Sequence, residues 1–79
     1  MQPIQELLNK IKRDPNEEPD AYVIFYQDRV SDKLIPVPYD DILEIRESFI
    51  TIFDKGHETP IPLHRIKKVE KKGEVVWER

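Results

Sequence analysis

The sequence predicts an α+β fold in which an N-terminal helix packs on a small, twisted antiparallel sheet that curls toward a barrel. Three observations predict it. Ile4, Leu7, Leu8 and Ile11 recur at i, i+3, i+4 and i+7, which places one apolar stripe along a helix. The run AYVIFYQD, Ala21 to Asp28, is dominated by β-branched and aromatic residues and reads as a strand. Beyond it come short apolar runs separated by proline and turn residues, the pattern of strands joined by tight turns. The 79 residues make one small domain, 1–79, near the size at which a single core is only just sufficient.

The helix is predicted over Pro3 to Arg13. Proline suits the first turn, where its missing N–H would be unpaired anyway, and Lys10, Lys12 and Arg13 complement the negative end of the helix dipole. Pro15 ends it, and an isolated helix this short needs a sheet to dock on. An acidic loop, Asn16 to Asp20, follows. In the first strand Ala21, Val23 and Phe25 lie on one face and Tyr22, Ile24 and Tyr26 on the other; a strand apolar on both faces is central to its sheet. Asp28-Arg29 closes the strand, and Ser31 to Lys33 turn the chain.

Leu34 to Tyr39 is extended, but Pro36 and Pro38 confine it to an edge or a bulged crossover. Tyr39 to Ile42 forms a helical turn opened by Pro38, with Asp40 or Asp41 bonding early backbone N–H groups. Strands are expected at Ile42 to Ile45 and Phe49 to Phe53 around a turn at Arg46-Glu47-Ser48. A second turn at Asp54 to His57 uses Gly56, which is free to take positive φ. The closing segment repeats this pattern: Pro62, Ile66, Val69 and the run Glu74 to Trp77 stand where Pro38, Ile42, Ile45 and the run Phe49 to Ile52 stand.

Composition narrows the function. Without cysteine there are no disulfides and no thiolate zinc sites. No apolar run reaches a membrane span and the N-terminus lacks a signal-peptide layout, so no membrane partner and a cytoplasmic location are expected. The net charge of −3 is unevenly distributed. Residues 1–60 hold 7 Lys/Arg against 13 Asp/Glu, whereas residues 61–79 hold 6 against 3. A local basic surface is expected, not attraction of the whole molecule to nucleic acid.

No phosphate-binding glycine loop, metal-ligand spacing or nucleophile–base pairing is evident, so no metal, cofactor or catalytic residue is assigned. His57 falls in a solvated loop, and Asp40-Asp41 read as helix-start caps. The informative groups are Tyr26, Asp28 and Arg29 of the first strand and His64, Arg65, Trp77 and Arg79 of the last segment. Strand alternation puts Trp77 and Arg79 on one face, an arrangement in which a guanidinium can grip phosphate while a ring stacks a base. A protonated His64 can donate to phosphate. Lys67, Lys68, Lys71 and Lys72 would add backbone attraction nearby. The same residues also have a purely structural reading: Trp77 as the largest core residue, Arg79 as a chain terminus, Asp28 as the partner of an arginine.

The helix, the strand ending in Asp28-Arg29, the string Pro62-Leu63-His64-Arg65-Ile66, Gly73 and the ending Trp77-Glu78-Arg79 resemble the small, mostly archaeal RNA cyclic-group end recognition domain family, once described as uncharacterised. The resemblance spans essentially the whole chain and implies a module that binds RNA ends bearing a cyclic phosphate in RNA repair or processing, alongside RNA-processing enzymes such as two-histidine phosphoesterases. The positions that match its motifs are Asp28, Arg29, His64, Arg65, Trp77 and Arg79. An RNA-end module on this chain would hold phosphate with Arg29, His64, Arg65 and Arg79, stack a base on Trp77 or Tyr26, and use Asp28 in support. Two other classes stay open: an adaptor pairing a partner strand with the edge at Leu34 to Val37, and a phosphoesterase or nuclease using His64 as acid or base.

Overall fold

A computed structural model describes residues 3–79. Helix α1 (Ile4–Arg13) is followed by seven strands: β1 (Tyr22–Gln27), β2 (Leu34–Pro38), β3 (Ile42–Ile45), β4 (Phe49–Asp54), β5 (His57–Pro62), β6 (Ile66–Lys71) and β7 (Glu74–Glu78). Short 3₁₀ turns lie at Pro19–Ala21, Tyr39–Asp41 and Leu63–Arg65. The α+β class and the helix are as the sequence predicts. The strands, however, divide into two antiparallel sheets, of order β2-β1-β6-β7 and β3-β4-β5, with no closed barrel.

The helix buries Ile4, Leu7, Leu8 and Ile11, the stripe its spacing predicts. Pro3 stands just before the first helical residue, and its carbonyl accepts from the Leu7 N–H at 3.2 Å. Asp14 leaves the helix in an extended conformation, as the residue before a proline must. The helix is fixed from the side by Tyr39, whose hydroxyl donates to the Leu8 carbonyl at 2.7 Å. Burial pushes the Tyr39 pKa up to about 12, so this donor keeps its proton throughout the physiological range.

One core joins the helix to both sheets; Leu8, Ile24, Ile50, Ile66 and Val69 are wholly buried in it. Strand β1 is central, between β2 and β6, and its core face carries Tyr22 and Ile24. The opposite face is covered in part by Lys68, whose ammonium lies 4.3 Å from the centre of the Phe25 ring. The turn at Tyr39–Asp41 forms as expected, but neither Asp40 nor Asp41 caps it through its side chain.

The repeated sequence pattern corresponds to a repeated structure. Each half consists of a hairpin, a Pro-initiated 3₁₀ turn and a further strand: β1, β2, turn, β3, and then β4, β5, turn, β6. Pro38 and Pro62 precede the two turns with nearly identical backbone angles, φ −59° and ψ 139° against φ −59° and ψ 140°. Each half donates its last strand to the other's sheet, so β6 pairs with β1 and β3 with β4. The registers correspond: Ile24 opposes Val69 as Ile50 opposes Ile45, and Tyr26 opposes Ile66 as Ile52 opposes Ile42. Both pairings carry a bulge, at Lys67 in one and Leu43 in the other. The molecule is therefore a pseudo-two-fold arrangement around one core, with β7 added at an edge.

Strand β5 is the element sequence reasoning leaves out, because Pro60 and Pro62 argue against a strand. It forms as an edge of its sheet, where proline is tolerated. Its hairpin with β4 turns on Lys55 and Gly56, both at positive φ, and Lys72 and Gly73 do the same between β6 and β7.

Outside the helix, Glu17 ties the acidic loop to the first sheet. Its carboxylate accepts from the Tyr22 hydroxyl at 2.9 Å and from the Lys71 ammonium at 3.1 Å. These bonds, Tyr22 first, hold the Glu17 pKa below its ordinary value. A depressed carboxylate pKa adds stability above the unfolded-state pKa and loses it as pH falls through the folded value. Glu17→Gln is therefore expected to lower the melting temperature at pH 7, with the gap to the parent protein closing in acid. A thermal-melt series from pH 7 to pH 2 measures it, and a gap that persists undiminished at the acid end contradicts it.

Candidate functional site

The end of β1 and the turn Leu63–Arg65 bring the Asp-Arg pair and the His-Arg pair together although they are far apart in sequence. A cleft of about 230 Å³ is lined by Gln27, Asp28, Arg29, Asp32, His64, Arg65 and Lys67. Beside it lies a larger one of about 750 Å³ that shares Asp28, Arg29, His64 and Arg65 and adds Tyr26, Ser48, Phe49, Thr59, Pro60, Ile61 and Pro62. The small cleft carries three cations and a histidine against two carboxylates, and the part that the larger one adds is largely apolar.

Local chemistry sets each side chain. Asp28 organises the loop that presents Arg29: its carboxylate accepts from the Ser31 hydroxyl at 2.7 Å and the Ser31 N–H at 3.2 Å. These bonds hold the Asp28 pKa below the usual carboxylate value. Its partner is thus a serine, not the arginine that the structural reading of the sequence assigns. Asp32 accepts from the Gln27 side chain at 3.3 Å. The 3₁₀ turn points His64 and Arg65 away from the core while Leu63 and Ile66 on either side are buried. Lys67 reaches the cleft because it occupies the bulge between β6 and β1.

Arg79 and Trp77 take other places. Trp77 is only 6% exposed and belongs to the core, so it offers no platform for a base. Its ring carries the Arg79 guanidinium 4.9 Å from its centre. Arg79 lines neither cleft. Instead its guanidinium donates to the Leu63 carbonyl at 3.2 Å and its backbone N–H to the Lys67 carbonyl at 3.0 Å. It braces the turn from behind. Arg79→Ala is accordingly expected to weaken ligand binding several-fold by loosening that turn, while Arg79→Lys restores little because an ammonium lacks the planar fork; a titration of both variants decides between bracing and direct contact.

The lysines do not form one cluster. Lys68 pairs with Glu70 at 3.1 Å, Lys71 with Glu17 at 3.1 Å, and Lys72 lies 3.7 Å from Glu18. Register explains the division, since Lys71 and Lys72 lie at the far end of β6, by the acidic loop. Among the described residues the side chains of Arg29, His64, Arg65 and Lys67 have no ion-pair or hydrogen-bond partner. Tyr26 is half-buried, its pKa raised by burial first and by Asp54 and Asp28 second. His57 is exposed at the start of β5, not in a loop.

The pseudo-two-fold produces an equivalent cleft on the other half, lined by Ile35, Pro36, Val37, Pro38, Asp41, Ile52, Asp54 and Lys55 among others. There Asp41 occupies the position of Arg65 and Lys55 that of Arg29. The backbone solution is shared, and the cationic character belongs to one copy alone. Sequence reasoning misses Ser48, Phe49, Pro60, Ile61 and Pro62 as site residues, because they enter through β5 and its neighbour. The recurrence of Pro36-Val37-Pro38 as Pro60-Ile61-Pro62 is a signal that identifies the last three.

Comparisons with known proteins bear on this arrangement. A family model described as the MJ1316 RNA cyclic group end recognition domain matches residues 1–79. UPF0248 protein PF1300 of Pyrococcus furiosus is 40% identical over 82 aligned positions, covering 95% of this chain and 86% of that protein. UPF0248 protein MK0350 of Methanopyrus kandleri is 37% identical over 67, covering 84% and 85%. UPF0248 protein SSO2687 of Saccharolobus solfataricus is 29% identical over 79, covering 96% and 95%. No solved structure matches the chain. With all 79 residues matched and relatives at these identities, the chain belongs to the RNA cyclic group end recognition domain family, together with UPF0248 proteins of archaea.

Proposed function

We propose that the protein grips RNA ends that carry a 2′,3′-cyclic phosphate, with Arg29, His64 and Arg65 on the phosphate and Lys67 beside them, as a recognition module in RNA repair or processing. The observation that carries this reading is the group of four donor side chains, unpartnered among the described residues, around one small cleft. Guanidinium groups form charge-assisted, often bidentate bonds to phosphate oxygens. A cyclic phosphate is a monoanion, for which two arginines and one imidazole N–H are sufficient.

The acidic remainder of the chain supports a grip on the end in preference to a long groove along the backbone, because extended strand binding calls for a continuous basic track. The family description supports the RNA-end chemistry. Cytoplasmic RNA-processing enzymes are the partners this role calls for. Pairing of a partner strand along β2 has less support, since Pro36 and Pro38 remove two backbone donors from that edge.

Fluorescence anisotropy of a short labelled RNA tests the reading. An RNA ending in a 2′,3′-cyclic phosphate is expected to bind more tightly than the same RNA ending in a 3′-hydroxyl, and the preference should persist when salt is raised. Equal affinities that fall together with salt would reduce the site to a generic basic surface.

A further inference from the structure

We propose that Phe49 is the stacking platform for the terminal nucleobase, and that the site accepts any of the four bases; this rests on the phosphate reading above. The large cleft adjoins the small one, the two sharing Asp28, Arg29, His64 and Arg65 in their lining, so a nucleotide whose phosphate lies at the arginines has the apolar lobe beside it to receive the base. That lobe, about 750 Å³, is within the range of small-ligand sites.

Phe49 is the aromatic suited to the contact. It is the first residue of β4, 36% exposed, and it pairs with Pro62, which immediately precedes the turn bearing His64 and Arg65. Trp77 is buried, and Tyr26 is half-buried with its hydroxyl proton held by burial. The Phe49 side chain lies outside the core cluster and beside the phosphate grip, which leaves the ring available to a base. The position equivalent to Phe49 in the other half is Val23, half-buried; the exposed ring of the equivalent cleft, Phe53, stands at a different register position.

The polar groups of this lobe are limited. Ser48, Thr59 and Tyr26 supply hydroxyls, which donate or accept, and among the described residues no carboxamide lines it to read a base edge bidentately. Stacking without such readout is tolerant of sequence, because every base presents a π-face. A module that recognises an end by its phosphate chemistry would then accept ends of any sequence.

Calorimetric titrations of the whole chain with nucleoside 2′,3′-cyclic monophosphates and with the base-free ribose 2′,3′-cyclic phosphate test this. Phe49→Ala should weaken binding of the nucleotides roughly tenfold and leave the base-free ligand unchanged. Phe49→Tyr should restore the loss, and the four nucleotides should agree within a few-fold. Phe49→Trp provides a second readout: its emission should be quenched by the nucleotide and not by the base-free compound. Unchanged nucleotide affinity in Phe49→Ala, while Arg65→Ala abolishes binding of both ligands, overturns the platform and leaves the phosphate reading in place. Unchanged affinity in Arg65→Ala overturns the phosphate reading and the platform with it. A strong preference for one base overturns the claim of tolerance.

Discussion

Replacing Arg29 and Arg65 together by alanine is expected to lower affinity for cyclic-phosphate RNA on the order of a hundredfold or more, without loss of the fold. Each guanidinium supplies charge-assisted hydrogen bonds that contribute about 1.5–3 kcal/mol, and each 1.4 kcal/mol is about a factor of ten in affinity. Neither arginine contributes to the core, and neither has a partner among the described residues, so the melting temperature should move little. The matched control is Lys68→Ala with Lys72→Ala. Those lysines are paired to Glu70 and Glu18 away from the cleft, and their loss should change affinity only through the general field. Anisotropy titrations of the two double variants measure the contrast. Similar losses in both would mean that charge alone, and not the cleft, attracts the RNA.

Trp77→Ala is the substitution expected to cost the most stability. A buried Trp truncated to Ala typically loses about 3–5 kcal/mol, against a total of about 5–15 kcal/mol for a domain. In a chain of this size that is a fall of roughly 15–30 °C in melting temperature. The indole also supports the Arg79 guanidinium that braces the His64–Arg65 turn, so destabilisation and loss of binding should appear together. Trp77→Phe, which keeps most of the buried area, should recover the fold and most of the affinity. An unchanged melting temperature with a selective loss of RNA binding would instead make Trp77 a surface platform, contrary to its burial.

The contrast between Trp77 and Phe49 shows what the sequence could and could not convey. Period alone identified the helix, and the run from Ala21 to Asp28 identified the central strand, because burial of one stripe or two faces leaves a direct trace in residue order. The prolines at 36 and 38 were informative for β2, and those at 60 and 62 concealed β5 for the same reason: proline excludes central strands and says nothing against edges. Alternation placed Trp77 and Arg79 on one side of the closing segment, yet not whether that side met solvent or core. That depended on β7 pairing with β6, where Val69 opposes Trp77, a contact set by topology.

The site followed the same division. Asp28, Arg29, His64 and Arg65 were identifiable by residue type and meet in one cleft, because the last strand of the second half pairs with the first strand of the first. The lysines were identifiable only as a charge run, and register separated Lys67 at the bulge from Lys71 and Lys72 beside the acidic loop. Phe49 was hidden because it reaches the cleft through pairing with β5, the strand the prolines conceal.

The most direct test of the central claim is chemical-shift mapping of the ¹⁵N-labelled chain titrated with a nucleoside 2′,3′-cyclic monophosphate. The largest perturbations are expected at the amides of Arg29, His64, Arg65 and Lys67, with Phe49 next and little change around Lys71, Lys72 or the equivalent cleft at Asp41 and Lys55. Perturbations centred on β7 or on the Lys71–Lys72 end, with residues 28–29 and 64–65 unmoved, would contradict the assignment of the site.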